Sequence, residues 1–473
     1  MSAVSVDEIM QRATAAAGIF SQYDQQQTDR IVESVYRAGF AARVRLARFA
    51  QEETGIGRWD HKVIKNVVAT QFVYEDIRDL KTVGVIREDT DNGILEIAQP
   101  VGPILAIIPA TNPTSTVMFK VLSALKTRNP VIVSPSRRAT ACTVEAARIC
   151  YEAALDAGAP EDCVQWLADV SREQTQALMA HSGLALILAT GATGLVHSAY
   201  SSGTPTLGVG PGNVPVFIDR SADVPFAVNE ICASKLFDNG TICASEQAIV
   251  VERALADDVM AAFRQHGAYF LNPAESRQLE ALVLDTSGHM SADIVGRPAT
   301  DIAQRAGLAV PPDTTLLIAP LDGVGDDYPL SREILAPILA FYAVEGFDHA
   351  VNVCIDLNFY GGIGHTVSLF CNDEARITAF ASLMNAGRIV VNMPSAQGAV
   401  GRMYNSLSPS LTLGCGTGGK NITTDNVTAR HLINIQRVTR RREDRRFARF
   451  DLSLYLDEGV DADAIHEAFN RNY

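Results

Sequence analysis

Apolar residues recur at three- and four-residue steps through the first fifty positions: Ile31, Val35 and Tyr36, then Val44 and Ala47, with arginines between them. That spacing predicts helix over residues 5–50. The period then changes. TVGVIRED, the pair Asn92-Gly93 and ILEIAQP read as two strands joined by a tight turn, because an Asn-Gly pair accepts the positive φ values such a turn requires. From Gly102 onward short apolar runs alternate with helical stretches. ILAII (104–108) precedes a helix near 114–127, and PVIVS (130–134) precedes one near 139–157 that stops at Gly158 and Pro160. Ala185–Leu188 then precedes a short helix and the run TLGVG. Apolar strands spaced by helices imply parallel βαβ units, hence a doubly wound α/β sheet.

A second α/β region starts near Ser221. SADVPFAVNEICASKLF predicts an amphipathic helix with Ser221 as its N-cap. It stops at Asp238-Asn239-Gly240 and runs into TICASEQAIVVE, a turn feeding a strand. A further βα series continues to about residue 395. Near 408 the texture changes to LSPSLTLGCGTGGKNITTDNV, followed by a strand-like HLINIQRV. No internal repeat or low-complexity linker separates these regions, so two lobes are expected to pack tightly.

Composition narrows the function classes. With 473 residues, 47% hydrophobic and 20% charged, the chain has core material for two or three domains and is not disordered, collagenous or disulfide-stapled. A net charge of −14 argues against general affinity for nucleic acid or anionic lipid. No apolar run approaches the roughly 18 residues of a membrane span. The N-terminus MSAVSVDEIMQ lacks the basic and apolar regions of a signal peptide. Eight cysteines without a CxxC pair form neither a disulfide nor a zinc pattern, so a cytoplasmic protein with reduced thiols and no metal is expected.

Two glycine-rich strings invite a nucleotide reading. GCGTGGKN (414–421) approaches the P-loop pattern, but Asn421 stands where a magnesium-binding hydroxyl belongs, and ITTDNV does not continue as helix. GVGPGN (208–213) lacks the GxGxxG spacing. Both read more simply as turns where backbones approach closely. Cys243, in FDNGTICASEQ, is the sharper signal: a helix end and a glycine turn lead to a thiol among small residues. Its plain alternative is a small core hydrophobe.

At this motif the sequence resembles the aldehyde dehydrogenase superfamily, specifically its CoA-acylating branch. The likeness runs from about residue 10 to 440. It is carried in order by PVGPILAIIPATNPTSTVMFKVLSALKTRNPVIVSP, ILATG, GVGPGNVPVFID, KLFDNGTICASEQ, SREILAPIL, GGIGHTVSLF and SPSLTLGCGTGG. The resemblance implies an aldehyde-dehydrogenase-like α/β fold. A Rossmann-type cofactor-binding lobe would span 1–220, with a return segment near 408–425. A catalytic lobe would span 221–407, and an oligomerisation arm with a tail 426–473.

It further implies that Cys243 attacks the aldehyde, and that the thiohemiacetal collapses to a thioester by hydride transfer to NAD or NADP. Asn112 matches the asparagine whose side-chain amide joins the Cys243 N–H in an oxyanion hole. Glu333 matches an acid near the nicotinamide ribose, and His365 a histidine that serves as base for the CoA thiol or for Cys243. Without the likeness, Asn112 is a turn residue before Pro113, Glu333 a helix-start carboxylate and His365 a structural histidine. The dinucleotide would lie against Pro109, Thr111, Ser134, Pro135, Arg137, Thr190, Gly191, Gly194 and Gly208, with Glu333.

Two departures inform the chemistry. Hydrolytic members carry a water-activating glutamate where this chain has Gly208, and no carboxylate occurs from Thr204 to Ile218. That absence favours acyl transfer to CoA over release of a carboxylate, which is the enzymatic alternative; a P-loop nucleotide-binding protein is the alternative from another class. Where hydrolytic members have a lysine facing the adenosine ribose, this chain reads Ser134-Pro135-Ser136-Arg137-Arg138, which leaves NAD and NADP open. Arg402, in AVGRMYN, is the one indication of an anionic aldehyde such as sulfoacetaldehyde or succinate semialdehyde; a surface arginine is the plainer reading. HLINIQRV resembles the strand by which family members dimerise, so a homodimer or homotetramer is expected. Seven arginines between Arg437 and Arg449 read as a solvated or subunit-bridging segment. The final DADAIHEAFNRNY is a short amphipathic stretch that would dock on a neighbouring subunit, or alternatively in a bacterial microcompartment.

Overall fold

The computed structural model describes residues 4–168, 171–191, 193–285, 288–441 and 451–472. Most of the arginine-rich run thus lies outside the described residues. Four helices open the chain: Val6–Phe20, Gln25–Ala41, Arg43–Thr54 and Trp59–Val67. Ser5 caps the first by accepting from the Glu8 N–H at 3.1 Å, and Asp24 with Gln27 forms a capping box on the second. The fourth runs on as a π-helical turn, Val68–Phe72. The chain divides into two units, Met1–Leu80 with Pro100–Ile433, and Lys81–Gln99 with Asn434–Tyr473.

The smaller unit contains the expected hairpin. β1 (Gly84–Asp89) pairs antiparallel with β2 (Ile94–Pro100) around a turn in which Gly93 has φ 64°. The HLINIQRV segment supplies a third strand beside β2, and a C-terminal helix, Ala462–Asn472, packs Phe469 edge-on to Tyr455.

The larger unit holds two parallel sheets. β3 (Ile104–Ile107), β4 (Val131–Ser134), β5 (Val164–Trp166), β6 (Leu186–Thr190) and β7 (Thr206–Val209) form the first, in the order β5-β4-β3-β6-β7. Their residues alternate between two cores, as the two-residue period requires. Ile104, Ala106, Val131 and Val133 pack with Phe119 and Leu122 of the helix Pro113–Lys126, whereas Leu105, Ile107 and Ile132 pack with Met10, Leu178 and Met179. The winding direction reverses between β3 and β6. Open α/β sheets receive ligands at the carboxyl ends of the strands beside such a reversal.

The second sheet comprises β8 (Val214–Ile218), β9 (Glu246–Glu252), β10 (Ala268–Phe270), β11 (Leu316–Pro320), β12 (Ile338–Val344), β13 (Gly364–Phe370) and β14 (Ala386–Val391). Its order is β10-β11-β12-β9-β8-β13-β14. The helix predicted from Ser221 runs instead over Val224–Lys235 and is capped by Asp223, whose side chain accepts from the Phe226 N–H at 3.1 Å. Ser221 does not cap it, because its hydroxyl accepts from the Asn372 N–H at 2.9 Å while donating to Asp219 at 2.7 Å.

Candidate active site

The turn that carries Cys243 is built from backbone conformations that side chains resist. Asp238 and Asn239 are left-handed (φ 50° and 54°), and Gly240 follows at φ 75°. Non-glycine residues hold such angles only where their surroundings over-determine them. Here the determinant is a buried charge cluster. Asp238 accepts from the Arg58 N–H at 2.7 Å, from the Lys62 ammonium at 3.0 Å, from the Thr241 hydroxyl at 2.8 Å and from Lys65. Burial would raise its carboxyl, but the two lysines outweigh it and hold Asp238 at about 2. Asn239 donates to Gly296 O at 2.9 Å and fixes the other side of the turn.

Cys243 follows this turn and precedes β9, and it is only half-buried, unlike the seven other cysteines, which are buried. Its Sγ lies 3.3 Å from His365 Nε2. His365 stands at the start of β13, with Nδ1 2.9 Å from the Thr366 hydroxyl and its carbonyl held by Arg388 at 2.7 Å. Arg388 is itself buried and also binds Gly414 O at 2.7 Å, so one guanidinium anchors both the histidine and the 414–426 loop. Burial, reinforced by Arg388, pushes His365 down to about 3, and burial pushes the Cys243 thiol up to about 12. Sulfur and imidazole therefore rest as a neutral pair. In the tautomer whose Nδ1–H donates to Thr366, Nε2 is free to accept the thiol proton.

Gly212 explains part of the GVGPGN string. A Cβ there would sit 2.1 Å from the Cys243 carbonyl oxygen and 3.1 Å from His365 Nδ1, so only glycine allows this approach. Its N–H donates to Glu333 Oε1 at 2.9 Å. Burial pushes the Glu333 carboxyl up to about 7. Glu333 is held through its neighbour Ile334, whose N–H donates to Gln247 Oε1 at 3.0 Å and whose carbonyl accepts from the buried Lys235 at 3.1 Å.

Asn112 occupies the N-cap position of the helix Pro113–Lys126 but makes no capping bond. Its carbonyl oxygen accepts from Lys65 at 2.6 Å, and its amide donates to the Thr111 hydroxyl at 3.1 Å. Pro109, Thr111 and Asn112 lie beyond the carboxyl end of β3, and Thr190, Gly191 and Gly194 at that of β6, on either side of the winding reversal. Lys120 braces the two strand ends by donating to Ile107 O at 2.7 Å and Leu188 O at 2.8 Å. A Cβ on Gly194, at the start of the helix Thr193–Tyr200, would meet nothing within 4 Å. Exposed backbone at a helix start beside a strand reversal fits a dinucleotide phosphate.

Other expected residues sit differently. Ser134 is buried, its hydroxyl 3.4 Å from that of Thr175, and Pro135 is buried beside it, while Arg137 is exposed. Gly208 lies within β7, where a Cβ would be 2.8 Å from the Tyr200 hydroxyl. Arg402 is exposed, with a left-handed φ of 72°. Its neighbour Met403 packs on the apolar cluster that includes Cys243, Ile242 and Val400. The GCGTGGKN string is a folded turn and no helix follows it: Gly414 N–H donates to Asp425 O and Gly416 N–H to Thr423 O, both at 2.9 Å. Amides spent on such bonds do not cradle phosphate, which disfavours the P-loop alternative. Among the described residues no cluster of His, Cys, Asp and Glu could hold a metal, and no helix is long and apolar enough to cross a membrane.

Lys62, Lys65, Asp238 and Arg388 escaped the sequence reading. Two lysines three residues apart on a helix look like a solvated face, and the Asp238-Asn239-Gly240 signal was spent on the turn. An arginine inside the apolar strand run AGRIVV was the one legible clue.

A family model described as aldehyde dehydrogenase family matches residues 1–404. The chain is 43% identical over 458 residues to the bifunctional aldehyde-alcohol dehydrogenase of Escherichia coli (strain K12), covering 96% of this chain and 51% of that protein, so it spans about half that relative's length. Among solved structures, an acetylating aldehyde dehydrogenase from Geobacillus thermoglucosidasius is 47% identical with a TM-score of 0.91, covering 93% of this chain and 97% of the other. A propionaldehyde dehydrogenase from Rhodopseudomonas palustris, solved with CoA and an acylated cysteine, is 28% identical with a TM-score of 0.82, covering 92% and 97%.

Proposed function

The chain belongs to the aldehyde dehydrogenase family, and within it we propose that this protein is a CoA-acylating, NAD(P)-dependent aldehyde dehydrogenase that works through Cys243. The observation that carries the proposal is the 3.3 Å approach of Cys243 Sγ to a neutral His365, with Gly208 where hydrolytic members place their water-activating glutamate. A Cβ at that position would meet the Tyr200 hydroxyl at 2.8 Å and Val196 at 3.0 Å, so a side chain there would require Tyr200 to shift.

The chemistry follows from these groups. As Sγ bonds to the aldehyde carbon, its proton passes to His365 Nε2, so a thiolate need not stand free in a site that holds the thiol at about 12. The carbonyl oxygen takes up negative charge, and the Asn112 amide and the Cys243 N–H are the donors proposed to receive it; one such donor is worth about 3–4 kcal/mol. The bound dinucleotide supplies hydride acceptance, and the carbon is left as a Cys243 thioester. His365 then gives its proton to solvent and accepts one from the CoA thiol. The CoA sulfur bonds to the acyl carbon, the Cys243–carbon bond breaks, and the proton returns to Cys243. Thioester exchange is near thermoneutral, so with a reduced dinucleotide as hydride donor the same site would run in reverse from acyl-CoA to aldehyde.

In this reading Glu333 lies by the nicotinamide ribose, and the cofactor runs along Pro109, Thr111, Ser134, Pro135, Arg137, Thr190, Gly191, Gly194 and Gly208. The lobe divisions at 220 and 407 and pairing of the HLINIQRV strand with a second copy belong to the same proposal. Arg402, exposed but next in sequence to Met403 of the apolar cluster at Cys243, is the residue that would favour an anionic aldehyde such as sulfoacetaldehyde. The test is a product assay with neutral and anionic aldehydes, using NAD and NADP in turn, with and without CoA. Acyl-CoA formed in step with the reduced dinucleotide is expected; abundant free carboxylate without CoA would overturn the proposal.

A further inference from the structure

Lys65 is placed to do more than neutralise Asp238. It lies on the helix Trp59–Val67, and its ammonium is buried. Its three protons meet three acceptors: Asp238 Oδ2, the Thr241 hydroxyl at 2.9 Å and the Asn112 carbonyl oxygen at 2.6 Å. Two of these belong to the turn that carries Cys243, and the third is the side chain proposed to stabilise the oxyanion. An ammonium only donates, so it discriminates between the two ends of the Asn112 amide. With the oxygen held on Lys65, the NH₂ group must face the other way, on the Thr111 side. A flipped amide would set two donors against each other in a buried site, which is heavily penalised.

We propose that Lys65 is a positioning residue that locks the Asn112 amide in its donating orientation and ties it to the Cys243 turn, so that the oxyanion donor and the nucleophile are set by one buried cation. This inference rests on the acylating reading and names the group that keeps its oxyanion hole assembled. Lys62 does not duplicate the role: it donates to Asp238 Oδ2 and to the Thr111 carbonyl at 2.9 Å, and not to Asn112. It does keep Asp238 paired when Lys65 is removed, which favours folding of the variant.

The test is a double-mutant cycle on the full chain, using K65M, N112A and K65M/N112A, read as acyl-CoA formation with dinucleotide binding measured alongside. If Lys65 acts through Asn112, K65M lowers kcat about 10²–10³-fold, as N112A does, because each removes the same oriented donor. The double variant then falls no further than N112A, within about threefold, and the KM for the dinucleotide stays near that of the unsubstituted enzyme. Losses that multiply, or a K65M enzyme with unchanged kcat, would overturn the inference. So would a K65M enzyme whose whole defect lies in dinucleotide KM. If K65M fails to yield folded protein, K65A, which likewise removes the N–H donor held on Asn112, is carried through the same cycle and judged by the same outcomes. Failure of the unsubstituted chain to form acyl-CoA from any aldehyde would instead sink the functional reading, so the two failures are distinguishable.

Discussion

Replacing Gly212 by alanine isolates the geometry of the nucleophile. A methyl group there would sit 2.1 Å from the Cys243 carbonyl oxygen, more than 1 Å inside ordinary contact. The obstacle is backbone and not the far end of a flexible side chain, so the Cys243 turn or the 210–213 segment must yield. On the turn side, movement is opposed by the Asp238 cluster; on the other, by the Gly212 N–H bond to Glu333. A displacement of about 1 Å between reacting groups costs about 10²-fold in rate, equivalent to about 2.7 kcal/mol. Gly212→Ala should therefore lower kcat for acyl-CoA formation by about 10²-fold, with weakened protection of Cys243 in the fold but intact circular dichroism. Gly210→Ala is the control, since a Cβ at that position meets nothing within 4 Å, and its rate should stay within about twofold. The assay is reduced-dinucleotide formation at saturating CoA and aldehyde. A Gly212→Ala enzyme within threefold of the unsubstituted one would refute the claim that close packing at this glycine aims the sulfur.

Cys243→Ala should abolish turnover while leaving dinucleotide binding, followed by fluorescence titration, intact; retained activity would remove the nucleophile from its role. Because burial pushes the Cys243 thiol up to about 12, its alkylation by iodoacetamide in the ligand-free enzyme should keep accelerating with pH beyond 9, and a plateau below pH 8 would contradict the neutral pairing with His365. Glu246 is buried, and its carboxyl is pushed up from 4.5 to about 7. The folded state then retains a proton that the unfolded chain releases, so stability falls as pH rises through that window. Glu246→Gln should show a shallower loss of urea midpoint between pH 4.5 and 7 than the unsubstituted chain, and equal slopes would refute the assignment.

Much of the architecture was legible because strand burial leaves a strong imprint. The helices expected near 114–127 and 139–157 are Pro113–Lys126 and Thr140–Asp156, and the hairpin at Asn92-Gly93 joins β1 to β2. Helix entry was less legible: Ser221 and Asp223 are both good caps, and the tertiary bond from the Asn372 N–H to the Ser221 hydroxyl, which takes up its acceptor, decides between them. Cys243 and His365 were named from motifs, and the structure brings them to 3.3 Å. The charges behind them were not legible, because burial of Lys65 or Arg388 is a property of what packs over them. A lysine that closes on a carboxylate 173 residues away leaves no local pattern.

That separation has a consequence for how the protein comes into being. The turn bearing the sulfur is held in its left-handed course by lysines near residue 60, so a fragment starting after the first eighty residues would possess the thiol without its aim. During synthesis, too, reactivity must wait until helices made first meet a loop made much later. Competence is thus a late event, signalled by arrival of one carboxylate between two amines, and the half-made chain carries an unaimed cysteine past cellular aldehydes.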